Sequence, residues 1–390
     1  MPGHLEKRSK NSWTIIIEAG RDPVTGKRKR LKKAFRGNKR DAEKEMARLL
    51  TEMEKGTYVE PSRLTFGEYL REWLQDYGAT RLAPTTRRRY GQIINLRVIP
   101  KLGMIPLQKL RAVHLQKFFR EIIEEGRLDK PGEPLSVDSI TYHHRVIHKA
   151  LDSALKQQLI QVNPADTVEL PKPPQELDEE DAQENIRVLD SDQVEAMLEA
   201  ARSTPYYALL FVGVRTGLRR GELLGLKWTD IDFKAGTLSV RQSLAYTPET
   251  GIFFKPPKNK KSRRTINISA EVVAVLKEHK KKQAEAKLFF GQEYQDNNLV
   301  FCQHNGQPMH PDTPSSWFPA FLERIGLPRL NFHCLRHTHA SLLLKAGVDI
   351  KVISERLGHS SIRITYDIYS HLMPGMQKEA VDRLEELLRH

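Results

Sequence analysis

The spacing of apolar positions changes three times along the chain. In residues 1–58, Trp13-Thr14-Ile15-Ile16-Ile17 is aromatic and β-branched and predicts a strand. Asp22-Pro23-Val24-Thr25-Gly26 is turn chemistry, and Lys27 to Phe35 mixes basic with apolar residues as a second strand does. Asn38 is placed to cap a helix carrying Ala42, Met46, Leu49 and Met53 on one face. In residues 62–168 the period is helical throughout. Thr65 and Glu68 form a capping-box pair ahead of Phe66, Tyr69, Leu70, Trp73, Leu74 and Tyr77. A second helix carries Arg87, Arg88 and Arg89, with Tyr90 and Ile93 turned inward. Leu115, Phe118, Phe119, Ile122 and Ile123 mark a third. Ile140, Ile147, Leu151 and Leu155 mark a fourth, which also carries His143, His144, Arg145, His148 and Lys149, expected on outer faces.

Residues 171–186 break the pattern. Six acidic residues and a proline cluster in PKPPQELDEEDAQEN cannot bury a core, so this is a linker. From 187 to 390, Asp190 with Gln193 opens a helix, strand-like GTLSV and RTINI bracket a loop, and helices follow to the end. No convincing internal repeat is present. The fold class expected is mixed α+β and multidomain. It comprises a small sheet-plus-helix domain (1–58), an all-α domain (62–168), the linker, and a mainly helical domain with a small antiparallel sheet (187–390).

Charge narrows the class of partner. The formal net charge is +14, and residues 1–40 alone hold 13 Lys/Arg against 3 Asp/Glu. A surface that basic repels itself unless an anion covers it, and phosphate backbones are the usual partner. Cys302 and Cys334 are too few for a disulfide framework or a cysteine-rich zinc site, which fits a reducing compartment. The start, MPGHLEKRSK, lacks the apolar core of a signal peptide, and no run approaches the roughly 18 apolar residues of a membrane span. A soluble, cytoplasmic protein without membrane partners is expected.

Four pieces of the last segment carry chemistry, each weak by itself. Thr216-Gly217-Leu218-Arg219-Arg220-Gly221-Glu222 presents an arginine after a glycine turn at a helix start. Lys255-Pro256-Pro257-Lys258-Asn259-Lys260-Lys261-Ser262-Arg263-Arg264 reads as a lysine-rich hairpin tip suited to phosphate contact or proton donation. In His333-Cys334-Leu335-Arg336-His337-Thr338-His339, His333 and Arg336 share a helix face and can approach one anion together. The three histidines lack the glutamate and further ligands of a zinc helix, which disfavours a metal site. Last come Leu357-Gly358-His359 and, ten residues after the histidine, Tyr369-Ser370-His371.

In this order the pieces resemble the tyrosine recombinase (phage integrase) family. TGLRRGELLGLKW, HCLRHTHASLLLKAG, VISERLGHSSI and TYDIYSHL are similar to its signature blocks. The resemblance covers all of 187–390. Residues 62–168 look like the family's helical core-binding (SAM-like) domain, and residues 1–58 look like an arm-site-binding domain. The resemblance implies a site-specific recombinase that joins DNA through a 3′-phosphotyrosyl intermediate. Tyr369 would be the nucleophile, Arg219 and Arg336 a phosphate clamp, and His333 a general base or phosphate donor. His359 would donate to a nonbridging oxygen, with Lys258 the general acid and Lys255, Lys260 and Lys261 its rivals. Glu222 matches an acidic position that steadies the site. Tyr366 is the rival nucleophile; His337, His339 and His371 are assigned structural roles.

Contacts to DNA are expected from Lys27, Arg28, Lys29, Arg30, Lys32 and Lys33, and from Arg87, Arg88, Arg89 and Arg145. No metal or organic cofactor is implied. The implied partners are double-stranded DNA at core and arm attachment sites, and further copies of the chain in a tetramer that exchanges an amphipathic C-terminal tail (Met376, Ala380, Leu384, Leu387, Leu388). By resemblance alone, an excisionase and a DNA-bending host factor are candidates. Two other readings stay open at this point: a type IB topoisomerase-like enzyme, and a non-catalytic DNA-binding or architectural protein.

Overall fold

The computed structural model describes residues 3–21, 26–170, 187–257 and 262–369, with single positions 381, 385 and 388. The chain divides into two compact units, Met1–Pro173 and Pro174–His390. The expected turn at Asp22–Thr25, the side chain of Lys29, the linker 171–186, Lys258, Lys260, Lys261, Ser370, His371 and the tail positions Met376, Ala380, Leu384 and Leu387 lie outside the described residues.

In the first unit, β1 (Gly3–Ser9), β2 (Ser12–Arg21) and β3 (Arg28–Arg36) form an antiparallel sheet in that order. Side chains alternate between faces along a strand, so register decides which residues meet the core. Ile15 pairs with Lys33 and Ile17 with Leu31; both isoleucines pack with Leu49 of α1 (Lys39–Glu54). The Asn38 side chain accepts the Asp41 N–H at 2.9 Å and starts that helix.

The helical part contains α2 (Phe66–Arg81), α3 (Pro84–Ile93), α4 (Ile99–Leu102), α5 (Ala112–Glu125) and α6 (Val137–Lys156). A π-helical turn, Ile94–Val98, joins α3 to α4. Thr65 caps α2 reciprocally: its backbone N–H donates to Glu68 Oε2 at 2.8 Å, and the Glu68 N–H donates back to Thr65 Oγ1 at 3.2 Å. The core is Phe66, Leu70, Leu115, Phe118, Phe119, Ile122 and Ile147. His143, expected on an outer face, is buried, its Nδ1 2.6 Å from the Ser139 carbonyl oxygen. A one-residue step around a helix turns a side chain by about 100°, so of these adjacent residues only Arg145 is fully outside.

The second unit runs α7 (Ser191–Ala201), α8 (Tyr207–Thr216) and α9 (Arg220–Leu224), then five strands. These are β4 (Ile231–Asp232), β5 (Thr237–Val240), β6 (Ser243–Thr247), β7 (Gly251–Lys255) and β8 (Arg264–Asn267). Helices α10 (Ala270–Phe290), α11 (Asp312–Arg324), α12 (Cys334–Lys345), α13 (Ile350–Leu357) and α14 (Ile362–Tyr369) follow. Asp190 and Gln193 cap α7 as expected. Helix α8 is buried continuously over 208–214 and contributes Leu209, Leu210, Val212 and Val214 to the core, with Arg215 exposed near its end.

The strands make two antiparallel sheets, β4-β5-β8 and β6-β7. The lysine-rich stretch therefore joins strands of different sheets, where the sequence suggested a single hairpin tip. The reason lies at α9: its Gly221 and the following Gly225 admit the backbone of Ser243 and Leu244 so closely that an added Cβ would meet Leu244 O at 2.7 Å or Leu244 N at 2.9 Å. That close approach diverts the chain after β5 onto α9. Among the described residues, no helix is long and apolar enough to cross a membrane.

Candidate active site

All described residues of the four sequence pieces belong to the second unit, and tertiary bonds bring Arg219, Arg264 and Arg336 to the end of α13. Gly358 terminates that helix in the left-handed region (φ +68°), so the chain turns just before His359. The two carbonyls at this turn are both taken by guanidiniums. Arg336 Nη2 donates to Leu357 O at 2.8 Å, and Arg219 Nη2 donates to Gly358 O at 3.4 Å. Arg336 Nη1 also donates to Gly217 O at 2.8 Å, so the guanidinium is braced from two sides. Arg336 is 3% exposed, whereas the Arg219 side chain is 37% exposed and open to a ligand.

Behind Arg219 sits Glu222. Its carboxylate accepts from the Arg219 N–H at 3.0 Å and from Arg219 Nη1 at 2.9 Å. On its other side, Arg264 donates through Nη2 at 3.0 Å and Nη1 at 3.3 Å. Burial pushes the Glu222 carboxyl up, but Arg264 and Arg219 outweigh it and hold it below its ordinary value. Arg264 also donates from Nε to Arg356 O at 2.6 Å and lies where a Cβ on Gly358 would fall, 2.8 Å from Nη1. Arg264 thus connects Glu222 to the α13 turn.

The histidines are crowded by cations. Desolvation by its packed side, then His337, Arg336 and Arg219, pushes His333 down to about 4, although the residue as a whole is exposed. Burial, then Arg336, Arg219 and Arg264, does the same to His359, also to about 4. Both rings are neutral at pH 7. His339 lies under Gly217, its Nδ1 2.9 Å from Val214 O and its Nε2 receiving Arg356 Nε at 3.0 Å.

Tyr369 is the last residue of α14 and packs with Ala340, Ile353 and Leu357 at 1% exposure. Burial raises its phenol to about 12. The hydroxyl lies 2.8 Å from His337 Nδ1, and the His337 ring is 4.9 Å from that of His333, edge to face. Tyr366, the rival, is 57% exposed and outside this arrangement.

Residues 187–375 match the model of the phage integrase family, and residues 65–123 match that of the phage integrase N-terminal SAM-like domain, together more than half of the chain. The chain belongs to the phage integrase (tyrosine recombinase) family. It is 29% identical to a XerC-like tyrosine recombinase of Caldanaerobacter subterraneus subsp. tengcongensis, over 98% of this chain and 97% of the relative. Its fold is similar to that of the Tn1549 transposon integrase in complex with a circular intermediate DNA (TM-score 0.65, 22% identity, 82% of this chain and 99% of that one). It is also similar to lambda integrase as a tetramer bound to a Holliday junction (TM-score 0.53, 20% identity, 93% and 96%). Family membership makes the protein an enzyme of site-specific DNA strand exchange.

The basic residues of this recombinase's first unit divide by face. Lys27, Arg28, Arg30 and Lys32 are exposed, with Arg30 paired to Glu18 at 2.7 Å. Lys33 has the opposite register and lies on the α1 side, its ammonium donating to Glu45 at 2.7 Å. Arg87, Arg88, Arg89 and Arg145 are all exposed. The Arg89 guanidinium covers the Tyr142 ring at 3.8 Å, and Lys149 stands 5.8 Å over Tyr77, which stacks on Trp73. Tyr142, Arg145 and Lys149 share one face of α6 by their spacing, giving that face both cations and aromatic surface.

Three residues in contact with the candidate site were not assigned to it from the sequence. Arg264 sits in a run of basic residues without a distinguishing neighbour. His337, expected to be structural, holds the Tyr369 hydroxyl. Thr365 is 1% exposed and 2.7 Å from His359 Nδ1. The spacing of Thr365 four before Tyr369, on the same helix face, is its only sequence signal.

Proposed function

We propose that this recombinase cuts and rejoins attachment-site DNA through a 3′-phosphotyrosyl link on Tyr369, and so integrates and excises a phage or mobile element. The observation that carries the reading is that Arg219 and Arg336 grip successive carbonyls, Gly358 and Leu357, immediately before His359. Three anion-binding side chains are thereby held on one short turn. Charge that builds on the nonbridging oxygens during phosphoryl transfer would meet fixed guanidiniums.

In this mechanism the Tyr369 oxygen attacks the scissile phosphorus, the bond to the 5′ oxygen breaks, and that oxygen takes a proton from Lys258. The phenolic proton leaves to a neutral imidazole. His333 is the base that the motif names, and His337 is the hydrogen-bond partner in the resting arrangement. Because the phenol is buried, the chain must open at Tyr369, the last residue of α14, to bring its oxygen to a phosphate, while Thr365 one turn earlier stays docked. Attack by the freed hydroxyl of another strand then restores a phosphodiester, with no nucleotide consumed. Neutral His359 donates to a nonbridging oxygen, and Glu222 fixes Arg219.

Residues 1–58 are assigned to arm-type sites and 62–168 to core sites. For the latter, the cationic-aromatic face of α6 is the supporting feature. Four copies would act together, by analogy with lambda integrase, and exchange C-terminal tails; Val381 and Leu388 of that tail are 57% and 72% exposed. The test is a nicked suicide substrate carrying the attachment site, incubated with wild type, Tyr369→Phe and Tyr366→Phe. A denaturation-resistant adduct lost only with Tyr369→Phe is expected. Loss only with Tyr366→Phe would overturn the nucleophile, and no adduct from any variant despite specific binding would overturn catalysis.

A further inference from the structure

We propose that Thr365 is a positioning residue that sets the tautomer of His359, its hydroxyl donating to Nδ1 so that the proton resides on Nε2 and points at the phosphate. The inference rests on the reading of His359 as a phosphate donor. It starts from the 2.7 Å separation of His359 Nδ1 and Thr365 Oγ1. A neutral imidazole has one N–H and one bare nitrogen, and the bond made by one nitrogen decides what the other offers. A threonine hydroxyl can serve either way, so the direction has to come from the surroundings.

Burial decides it. Thr365 is 1% exposed, and among the described residues its hydroxyl has no other hydrogen-bond partner. Were Nδ1 the protonated atom, the hydroxyl hydrogen would be buried with no acceptor, which native structures avoid. With the hydroxyl as donor, its buried hydrogen is used, and the one polar hydrogen left over is on the half-buried ring. His359 Nε2 has no partner among the described residues, and the ring is only half-buried, so its N–H remains for a ligand. Burial, with the neighbouring guanidiniums of Arg336, Arg219 and Arg264, favours the neutral ring at pH 7, and the tautomer therefore decides whether His359 can donate at all.

Thr365 and Tyr369 are one turn apart on α14. The same docked helix that carries the nucleophile therefore also prepares the donor, so His359 is set correctly only when α14 is seated.

The experiment uses the full chain with 15N-labelled histidine at pH 7.5. Long-range 1H–15N correlations report which ring nitrogen is protonated, and His359→Gln identifies the His359 signals. The Nε2–H form is expected in wild type and in Thr365→Ser. Thr365→Val, nearly isosteric, should populate the Nδ1–H form. On the suicide substrate, Thr365→Val should form adduct at least about 10-fold more slowly at unchanged DNA affinity, with Thr365→Ser restoring most of the rate. In a His359→Gln background, Thr365→Val should cost nothing further. An Nδ1–H signal in wild type, an unchanged tautomer in Thr365→Val, or a further loss in the His359→Gln background would each overturn the proposal. Absence of adduct from wild type would instead overturn the catalytic reading, and the tautomer result would still decide the role of Thr365.

Discussion

Replacing Arg264 by methionine removes one partner of a buried ion pair while nearly preserving side-chain volume. The Arg264 and Glu222 side chains are 7% and 5% exposed, so water cannot replace the missing guanidinium. Four acceptors are left without that donor: both Glu222 oxygens, Arg356 O and Ser262 O. Glu222 keeps Arg219, but that side chain is 37% exposed and stabilises the carboxylate less. Breaking a buried pair from one side costs about 3–5 kcal/mol. For a unit of this size that corresponds to a fall of roughly 10 °C in the melting temperature. Differential scanning calorimetry of the full chain, with the transition of the second unit followed, measures it. The double variant Arg264→Met/Glu222→Leu should recover part of the loss, because no unpaired carboxylate is then buried. A shift of under about 2 °C for the single variant, or a double variant worse than the single, would refute the view that Arg264 and Glu222 act as a desolvated pair.

Gly217→Ala should cost about 2–4 kcal/mol, combining a left-handed backbone with overpacking. Its φ is +65°, and a Cβ would stand 2.6 Å from His339 Cδ2 and 2.8 Å from Leu357 Cδ2; denaturant titration should show the loss, along with slower adduct formation as Gly217 O moves off Arg336. Acidification should destabilise the protein through His339, which burial, then Arg356, pushes down to about 3. An unfolded histidine binds its proton below about 6.5 while this one stays neutral, so stability present above that pH is lost at about 1.4 kcal/mol per unit as pH falls toward the folded value. Melting at pH 7.5 and 5.0 should show a steeper fall for wild type than for His339→Gln, and equal falls would contradict the assignment. Arg89→Ala with Arg145→Ala should weaken DNA binding across sequences and lower the salt slope by about 1 for each phosphate no longer neutralised; an unchanged slope would remove α6 from the interface.

The sequence by itself determined what depends on neighbours three or four residues apart. Asn38, Thr65 with Glu68, and Asp190 with Gln193 all form the caps their spacing announces, because a helix N-terminus and its cap belong to one turn of chain. The order of Arg219, His333, Arg336, His359 and Tyr369 was legible for a related reason: each lies in a dense local motif. Tertiary structure decided what depends on distant chain segments. Arg264 meets Glu222 across 42 residues, and Arg219 meets Gly358 across 139. No local period encodes such a meeting, so in the sequence Arg264 is one more cation in a basic run. His337 meets the Tyr369 hydroxyl across 32 residues. Lys32 and Lys33 are equivalent as sequence, yet strand register sends one outward and the other to Glu45. Composition supplied the charges, but the bonds of Arg219 and Arg336 to the carbonyls at the end of α13 decided which of them meet there.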